Sequence, residues 1–535
     1  MSTMFKNSLY VYGDENIQVP AHLNFGQYLF DRLKSFCKSS EVVMENPLSG
    51  EKITYKELIE YAVNVAVFLR DLGVENGQTV GIGSEKRIQF ISTALAVVFT
   101  GAAYTPLDLE TGKAVLEHKL NLSRPKYFIC SQLFWETYQD VLKESDFIEH
   151  FICFDENVDM EVSLKAVPKV ADLATFEPAA VQGQTDTAVI LYSSGTTGMA
   201  KGVQLTHLNF ILNCQPHGFE DESLKTMFII GEWFHAYDTF LTYMYMTLGR
   251  KIVFVDDVTS KNIMKAIQQC KVDLAMLVPS LIGYLVKTEL AVEQYDLSSL
   301  KFIFSRASPL GGQTIDLLKK RLPTLRDVIQ VYGMTESGCF TSESFGVIGP
   351  KSGSVGLVYP GITLKVIDPK TDVTLGANQR GEIRLRVGPL FMKGYIGMDR
   401  AMYLDEEGFF PTGDLGYYDE DKYFYIVGRL KEIIFYDGYK TAPSELETIL
   451  ELHPGVHEAG VVGKPAGDIG EDPVAFVVRQ PGSSVSEREL IDYIATAVPP
   501  YMHLRGGVIF VPEIPRNQTG KIIRRRLMEM LKTGQ

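Results

Sequence analysis

Apolar runs of strand length alternate with longer stretches of helical period along most of this chain, and that alternation constrains its fold more than any other feature. Residues 80–85 and 273–279 are short apolar runs, and each is followed by a stretch of helical period, 87–99 and 280–290 respectively. Strands that alternate with helices of period 3.6 are typical of largely parallel sheets covered by helices. The pattern therefore predicts an α/β fold with stacked α/β subdomains.

The rhythm changes twice in the second half of the chain. From Gly353 onward, short β-rich runs broken by glycine, proline and aspartate predict a β-rich subdomain at about 353–428. After Gly428 the order helix, two strands, helix and strand predicts a small α+β domain. We therefore expect a large N-terminal domain over residues 1–428 and a small, mobile C-terminal domain over residues 429–535, joined by a short hinge.

Composition and charge exclude several classes of protein. The 535 residues include 52 Lys and Arg against 66 Asp and Glu, a net charge of −14, so no broad attraction to nucleic acid or anionic lipid is expected. The six cysteines occur singly, which predicts a reducing compartment and no zinc site. The uncharged run Ile88–Leu107 contains Pro106 and several polar residues, so we expect a buried helix and a turn there and no membrane insertion. Without a secretory pattern or a C-terminal S-K-L, the expected location is intracellular and cytoplasmic.

The segment with most to say about function is 192–203, which reads YSSGTTGMAKGV and follows a strand-like run. Glycines let backbone N–H groups approach an anion, hydroxyls add hydrogen bonds, and a lysine adds positive charge. This composition suits a polyphosphate, although the Walker pattern G-x-x-x-x-G-K-[ST] is absent. The candidate phosphate-binding residues are Ser193, Ser194, Gly195, Thr196, Thr197, Gly198 and Lys201.

This segment resembles the phosphate loop of the adenylate-forming superfamily, which includes acyl-CoA synthetases, non-ribosomal peptide adenylation domains and insect luciferases. Further superfamily motifs follow in the same order, at 332–336 (YGMTE), 412–414 (TGD), 428–431 (GRLK) and 515–521 (PRNQTGK). Five ordered motifs are far more specific than one glycine-rich loop. The C-terminal half is most similar to insect luciferases, of the beetle or the fungus-gnat type, and to coumarate–CoA ligases.

The resemblance implies that ATP and Mg²⁺ activate a small carboxylic acid. The residues that it implies at the ATP site are Tyr332 and Gly333 at the adenine, Thr335 and Glu336 at phosphate and magnesium, and Asp414 and Arg429 at the ribose. Because a carboxylate must attack the α-phosphorus while pyrophosphate leaves in line, charge must be neutralised on both sides. Lys521 is the candidate catalytic residue for the carboxylate side. Without the motif it would belong to a solvated basic tail with the arginines that follow it.

The resemblance also implies an acyl pocket. His235 lies in 232–238 (EWFHAYD), similar to the family's F-H-x-x-G, whose histidine gates or orients the substrate carboxylate; outside that motif, a lone histidine among aromatics is usually packed in the core. Asp238 replaces the family's glycine and either brings a negative charge to the pocket or forms a turn. Arg306 stands where a small residue is expected, which favours a compact or anionic acid over a long fatty chain. The candidate pocket residues are Asn213, His235, Tyr237, Arg306 and Ala307.

Other departures concern the substrate and the second reaction step. Asn213 occupies the place of an arginine in the beetle enzymes, so beetle luciferin is not supported as the substrate. Phe435 stands at the position where the family has a lysine that serves the second half-reaction. Lys440 is a candidate to supply part of the missing positive charge. Gly428 stands where aspartate is common and should ease rotation of the small domain.

The sequence thus favours an insect luciferase or a luciferase-like acyl-CoA ligase, with molecular oxygen or CoA as the second co-substrate. Two alternatives stay open, a fatty or aryl acyl-CoA synthetase without light emission and a nucleotide- or acyl-binding protein with altered catalysis. The complete set of candidates for the first step, Lys201, Glu336, Asp414, Arg429 and Lys521, argues against lost catalysis. No obligate protein partner is evident in the sequence.

Overall fold

The computed structural model describes residues 9–13, 23–38, 40–155, 160, 162–169, 172–193, 199–215, 221–287, 294–306, 310–343, 351–437, 439–517 and 520–533. Along these residues the helices are α1 (Phe25–Phe36), α2 (Tyr55–Asp71), α3 (Ile88–Thr100), α4 (Lys113–Ser123), α5 (Gln132–Glu144), α6 (His207–Asn213), α7 (Ala236–Thr247), α8 (Ser260–Cys270), α9 (Pro279–Lys287), α10 (Gly312–Arg321), α11 (Pro443–Leu452), α12 (Glu487–Ala497) and α13 (Arg524–Thr533).

The strands of the same described ranges are β1 (Val11–Tyr12), β2 (Val42–Asn46), β3 (Glu51–Thr54), β4 (Thr79–Gly83), β5 (Ala103–Leu107), β6 (Tyr127–Cys130), β7 (His150–Cys153), β8 (Val162–Ser163), β9 (Thr187–Ser193), β10 (Lys201–Thr206), β11 (Thr226–Phe228), β12 (Lys251–Val253), β13 (Leu274–Leu277), β14 (Phe302–Ser305), β15 (Asp327–Met334), β16 (Gly338–Ser342), β17 (Leu357–Val358), β18 (Ile362–Ile367), β19 (Gly381–Val387), β20 (Gly394–Tyr395), β21 (Phe410–Tyr418), β22 (Phe424–Arg429), β23 (Ile434–Tyr436), β24 (Tyr439–Thr441), β25 (Val456–Pro465), β26 (Glu471–Arg479) and β27 (Val508–Phe510).

Two large, mostly parallel sheets form the centre of the protein. In the described part of the chain, one sheet has the order β20-β10-β9-β5-β4-β6-β7-β8 and the other the order β17-β16-β15-β14-β13-β11-β12-β2-β3. The strands from β9 to β8 in the first order and from β15 to β2 in the second pair in parallel, and antiparallel pairs occur only at the edges. The α/β class that the sequence predicts is confirmed.

A third, antiparallel sheet is the β-rich part of the large domain. Its order is β1-β18-β19-β21-β22 among the residues that the structure describes. Strand β1 lies near the start of the chain and pairs with β18 more than three hundred residues later, with Val11 opposite Leu364. The sheet therefore ties the N-terminal segment to the part of the chain that leads into the small domain.

The small C-terminal domain has its own core. Strands β25, β26 and β27 form one sheet and β23 and β24 another. Helices α11 and α12 pack on this part through buried side chains such as Leu446 and Leu490, which contact Val461 and Val477 of the sheet in one apolar cluster. The large N-terminal and small C-terminal domains of the predicted fold class are thus both present.

Helix α3 occupies the uncharged run singled out in the sequence. All of its residues except Gln89 are buried, and Gly101 ends the helix with a φ of 82°, in the left-handed region where glycine is favoured. The predicted buried helix and turn are confirmed, and strand β5 follows the turn. None of the helices in the described ranges is both long enough and apolar enough to span a membrane.

Glu343 lies buried in a polar cavity of about 60 Å³, which Asp327 and Lys319 also line. Its Oε1 atom has no hydrogen-bond partner among the described residues. Burial, and then the charge of Asp327, raise the pKa of Glu343 from the ordinary 4.5 to about 8, although Lys319 acts in the opposite direction. Between these two pH values the folded protein keeps a proton that the unfolded chain has released. The stability that this proton gives is therefore lost as the pH rises towards about 8.

We expect Glu343→Gln to raise the free energy of unfolding at about pH 9 and to change it little at about pH 4, because glutamine stays neutral at both values. Urea unfolding at the two pH values measures the effect. Asp316→Asn, at an exposed position lining the same cavity, is the matched control and should leave the pH dependence unchanged. An identical pH dependence in Glu343→Gln and the unmodified protein would contradict the burial of this carboxyl.

Candidate active site

The candidate phosphate loop connects β9 and β10. Ser193 ends β9 and pairs with Lys201, the first residue of β10, so the two ends of the loop lie next to each other. The Nζ atom of Lys201 lies 4.8 Å from the centre of the Tyr395 ring, a cation–π contact. The other candidates of this loop, Ser194, Gly195, Thr196, Thr197 and Gly198, lie outside the described residues.

Tyr395 connects this lysine to the candidate magnesium ligand. Its hydroxyl donates a hydrogen bond of 2.6 Å to Oε1 of Glu336, and the N–H of Met392 donates one of 2.7 Å to the carbonyl of Glu336. Glu336 follows Thr335 in the turn between β15 and β16 and is only 4% exposed. Tyr395 belongs to none of the sequence motifs and could not be predicted, because its partners lie far away along the chain.

Tyr332, Asp414 and Arg429 form a second hydrogen-bonded group. The Tyr332 hydroxyl donates to Oδ2 of Asp414 at 2.6 Å, and Nε of Arg429 lies 2.8 Å from Oδ1. Asp414 and Arg429 are opposite each other on the antiparallel strands β21 and β22. Burial raises the pKa of Asp414, whereas Arg429 and the Tyr332 hydrogen bond act to lower it. The structure thus brings together three of the residues that the resemblance implies at the nucleoside.

The T-G-D motif fixes the position of Asp414. Thr412 Oγ1 donates a hydrogen bond of 2.6 Å to the carbonyl of Ile383 and accepts one of 3.1 Å from the N–H of Asp414. Gly413 has a φ of 71°, a conformation that side chains with a Cβ rarely adopt. Thr412 therefore anchors the motif to β19, and Gly413 permits the turn that presents Asp414.

Lys521 lies in a closed turn that precedes α13. Its N–H donates to Oδ1 of Asn517 and its carbonyl accepts from the N–H of Asn517, both at 2.9 Å. Gly520 has a φ of 79°, and a Cβ at this position would lie 3.2 Å from Cγ2 of Val278, just after β13. Glycine thus allows the turn to rest against the large domain.

The charges of Asp414 and Arg429, two members of the second hydrogen-bonded group, act on Lys521. Burial, and then Arg429, lower the pKa of Lys521, whereas Asp414, Glu432 and Glu336 act to raise it. Lys521 is nevertheless exposed to solvent, so the surrounding protein lowers the pKa without enclosing the side chain. The C-terminal lysine is therefore close enough to Asp414 and Glu336 for their charges to act on its pKa.

His235 immediately precedes α7 and lies close to Glu232. The two side chains are 3.7 Å apart, between Nε2 of the histidine and Oε2 of the glutamate. Burial, and then the charge of Arg306, lower the pKa of His235 to about 3, so the imidazole is neutral at pH 7. Burial, and then Asp238, raise the pKa of Glu232 to about 7. His235 can therefore orient a substrate carboxylate as a neutral group and does not attract it as a cation.

Asp238 both stabilises a turn and pairs with a charge. Its Oδ2 accepts a hydrogen bond of 2.8 Å from the N–H of Glu232, and its Oδ1 lies 2.9 Å from Nη2 of Arg306. The turn that the sequence left open for Asp238 is therefore present, and its negative charge is paired with Arg306. Arg306 does not present a free positive charge, because Asp238 offsets it.

Two candidate pocket residues, Asn213 and Tyr237, line one cavity of about 40 Å³, with Leu212, Gln215, Phe240, Leu241, Met244, Cys339, Tyr359 and Leu390. The guanidinium of Arg306 lies 5.6 Å from the centre of the Tyr237 ring. Ala307 lies outside the described residues. Tyr237 thus joins the cavity to the charged group around Arg306.

The hinge region contains Phe435, which stands where the resemblance implies a lysine. Phe435 of β23 pairs directly with Lys440 of β24, and directly opposed residues share a face of the sheet. The Phe435 side chain is 46% exposed. Gly428 lies in β22, and an added Cβ would make only ordinary contacts, at 3.4 Å, with Ala442 and Ser444. In this conformation the backbone does not require glycine at position 428.

The fold and the charged cleft define a class of two-domain α/β enzymes in which a small C-terminal domain covers a site on a large one. Residues 32–396 match the family described as AMP-binding enzyme, and residues 445–521 match the AMP-binding enzyme C-terminal domain. The chain belongs to this family of adenylate-forming enzymes.

Named relatives include both luciferases and ligases. The chain is 34% identical to luciferin 4-monooxygenase of Photinus pyralis over 499 residues, 90% of this chain and 89% of the relative. It is also 34% identical to 4-coumarate–CoA ligase-like 9 of Arabidopsis thaliana over 505 residues, 91% of this chain and 87% of the relative. Among solved structures, ATP-bound MatB from Rhodopseudomonas palustris superimposes with a TM-score of 0.82 at 27% identity, covering 95% of this chain and 99% of that one.

Proposed function

We propose that the protein joins a carboxylic acid to AMP, using ATP, and then passes the acyl group to CoA or oxidises it with molecular oxygen. The observation that carries the proposal is the hydrogen-bonded group of Tyr332, Asp414 and Arg429. The turn that carries Lys521 lies against the large domain, because Gly520 approaches Val278 there. We further propose that residues 1–428 form the domain that binds ATP and the acid, and that residues 429–535 form a mobile catalytic domain.

The ATP would lie along the cleft between the two hydrogen-bonded groups. Asp414 has lone pairs left to accept hydrogen bonds from the ribose hydroxyls, because its two known partners use only part of its capacity. Tyr332 would lie at the adenine, and the loop that ends at Lys201 would hold the phosphates. The proposal thus gives each of the two groups a part of ATP to bind.

In the first step a carboxylate oxygen attacks the α-phosphorus of ATP. A new oxygen–phosphorus bond forms as the bond from the α-phosphorus to the oxygen bridging to the β-phosphorus breaks, and pyrophosphate leaves with that electron pair. Lys521 would neutralise the negative charge that the carboxylate and the α-phosphate bring together. The neutral His235 would orient the carboxylate without competing for its charge.

The chemistry of Glu336 fits a magnesium ion. Mg²⁺ is commonly held by one or two protein carboxylates together with substrate phosphates. Glu336 supplies one nearly buried carboxylate, whose orientation the Tyr395 hydrogen bond fixes. When bound, the ion supplies positive charge to the pyrophosphate leaving group.

The products of the second step show whether its co-substrate is CoA or molecular oxygen. The purified protein is given ATP, Mg²⁺ and each member of a panel of carboxylic acids, and acyl-adenylate, light and acyl-CoA are recorded with and without CoA. Light that does not depend on CoA identifies an oxygen-dependent enzyme, whereas a CoA thioester without light identifies a ligase. Formation of neither product, with no acyl-adenylate, would contradict the proposed function.

Phe435→Lys is expected to raise the rate of CoA thioester formation about tenfold and to leave acid-dependent ATP–pyrophosphate exchange unchanged. The new lysine would stand opposite Lys440 on the hinge sheet and add the charge that the family uses in the second half-reaction. Product formation and exchange are measured on the same preparations.

Met402→Lys is the matched control for this variant. It makes an exposed apolar residue into lysine outside the hinge, where the Met402 side chain is 70% exposed, and should change neither rate. If Phe435→Lys leaves thioester formation unchanged while exchange continues, the absence of a lysine at position 435 does not limit the second step.

A further inference from the structure

The ion pair between Arg306 and Asp238 is almost completely removed from solvent. The side chain of Arg306 is 7% exposed and that of Asp238 is fully buried. Their nearest atoms are 2.9 Å apart but are not aligned as a hydrogen bond, and Nε of Arg306 has no hydrogen-bond partner among the described residues. A buried guanidinium normally fills its hydrogen-bonding capacity, so Arg306 keeps a donor for another group.

The backbone holds both members of the pair in place. Asp238 lies in the first turn of α7, where the helix dipole favours a carboxylate, and it accepts the N–H of Glu232. Arg306 directly follows β14, and its own N–H donates to the carbonyl of Leu277 on the neighbouring strand. The pair therefore links helix α7, which carries Tyr237, to the end of strand β14.

The surrounding groups connect this pair to the candidate acyl pocket. Arg306 lies over the ring of Tyr237, which lines the 40 Å³ cavity with the aromatic residues Phe240 and Tyr359. Arg306 is also close enough to His235 to lower its pKa, and Lys521 acts on the same histidine. His235 and Asp238 lie three residues apart at the start of α7 and therefore face the same side. An acid that is held by its carboxylate at His235 thus has the Arg306–Asp238 pair beside it.

We propose that the Arg306–Asp238 pair determines substrate specificity, admitting compact aromatic acids whose far end carries a neutral hydrogen-bond acceptor and rejecting dicarboxylates and long alkyl acids. The inference rests on the proposed function. A second carboxylate in the substrate is repelled by Asp238, which already offsets the charge of Arg306. A long alkyl chain would cover the pair without supplying the hydrogen bond that Arg306 lacks. A phenolic oxygen supplies that hydrogen bond and carries no charge.

Equilibrium binding separates these classes. Calorimetry is carried out with α,β-methylene ATP, which cannot release pyrophosphate, and with three acids: 4-coumarate, 4-carboxycinnamate and dodecanoate. The two cinnamates differ only in a hydroxyl or a carboxylate at the far end. We expect the unmodified protein to bind 4-coumarate at least about tenfold more tightly than either of the other acids.

Asp238→Asn keeps the size of the side chain and an oxygen for the Glu232 N–H but removes the charge that offsets Arg306. It should tighten 4-carboxycinnamate binding at least about tenfold and reverse the order of the two cinnamates. Arg306→Lys keeps the positive charge and should keep the original order. Asp405→Asn, in an ion pair with Lys365 in the antiparallel sheet, is the matched control and should leave all three affinities unchanged.

Each result has a definite meaning. A ratio of the two cinnamate affinities that stays within about twofold in Asp238→Asn overturns the inference, and so does tighter binding of dodecanoate than of 4-coumarate by the unmodified protein. Thermal unfolding and the affinity for the ATP analogue show whether a variant is folded. Because binding is measured without catalysis, acids that bind in the expected order but never form an adenylate would contradict the proposed function and leave the specificity intact.

Discussion

Lys521→Ala is expected to slow acid-dependent ATP–pyrophosphate exchange by about 10²- to 10³-fold. The lysine lies in a C-terminal turn that rests against Val278 of the large domain, and the charges of Arg429, Asp414 and Glu336 act on its pKa. Removing its charge leaves the repulsion between an incoming carboxylate and the α-phosphate without compensation on that side. Exchange is measured at saturating ATP and acid, so that the rate reports the adenylation step.

Arg525→Ala is the matched control for this variant. Arg525 follows Lys521 closely in the chain but is 86% exposed, and its ion pair among the described residues is with Glu529 of its own helix. Its removal should change exchange by less than about twofold, since exposed ion pairs contribute little. Exchange that survives in Lys521→Ala at the level of Arg525→Ala would contradict the role given to Lys521.

Asp414→Asn is expected to weaken ATP binding by about 10- to 100-fold. The carboxylate is held in place by Tyr332 and Arg429, and the Thr412 hydroxyl accepts the backbone N–H of Asp414. It can therefore accept hydrogen bonds from the ribose without first being ordered. Asparagine keeps the shape but loses the charge and turns one acceptor into a donor. Calorimetric titration with ATP measures the change.

The control for Asp414 is Asp421→Asn. Asp421 follows the same strand but is 71% exposed and pairs with Lys351 on the surface. We expect its ATP affinity to match that of the unmodified protein. Equal ATP affinity in Asp414→Asn and Asp421→Asn, with both variants folded, would mean that the ribose is bound elsewhere.

Local patterns predicted the fold class well, because each strand and helix carries its own periodicity. The helix over 88–100 and the parallel sheets follow from that periodicity. The place of β1 did not, since its two residues pair with Leu364 and Thr363 and carry no pattern of their own. Pairings across such a distance depend on the folded core and leave no trace in a short stretch of sequence.

In the candidate site, too, some residues could be predicted from the sequence and others could not. Motifs marked Glu336, Asp414, Arg429 and Lys521 individually, but Tyr395 had no motif and emerged only through its contacts with Glu336 and Lys201. Arg306 and Asp238 were each visible as a departure from the family pattern. That their charges offset each other could not be read from the sequence, because the two residues lie on different elements that only the tertiary fold brings together.

The central claim, that a carboxylate attacks the α-phosphorus of ATP, is tested most directly with an acid labelled with ¹⁸O in its carboxyl group. The acid that drives exchange best is used, and the reaction is run to AMP release. Attack at the α-phosphorus makes one labelled oxygen the bridge of the acyl-adenylate, so we expect one ¹⁸O atom in each AMP released. Labelled orthophosphate with ADP as the nucleotide product would show attack on the γ-phosphorus instead and would contradict the account.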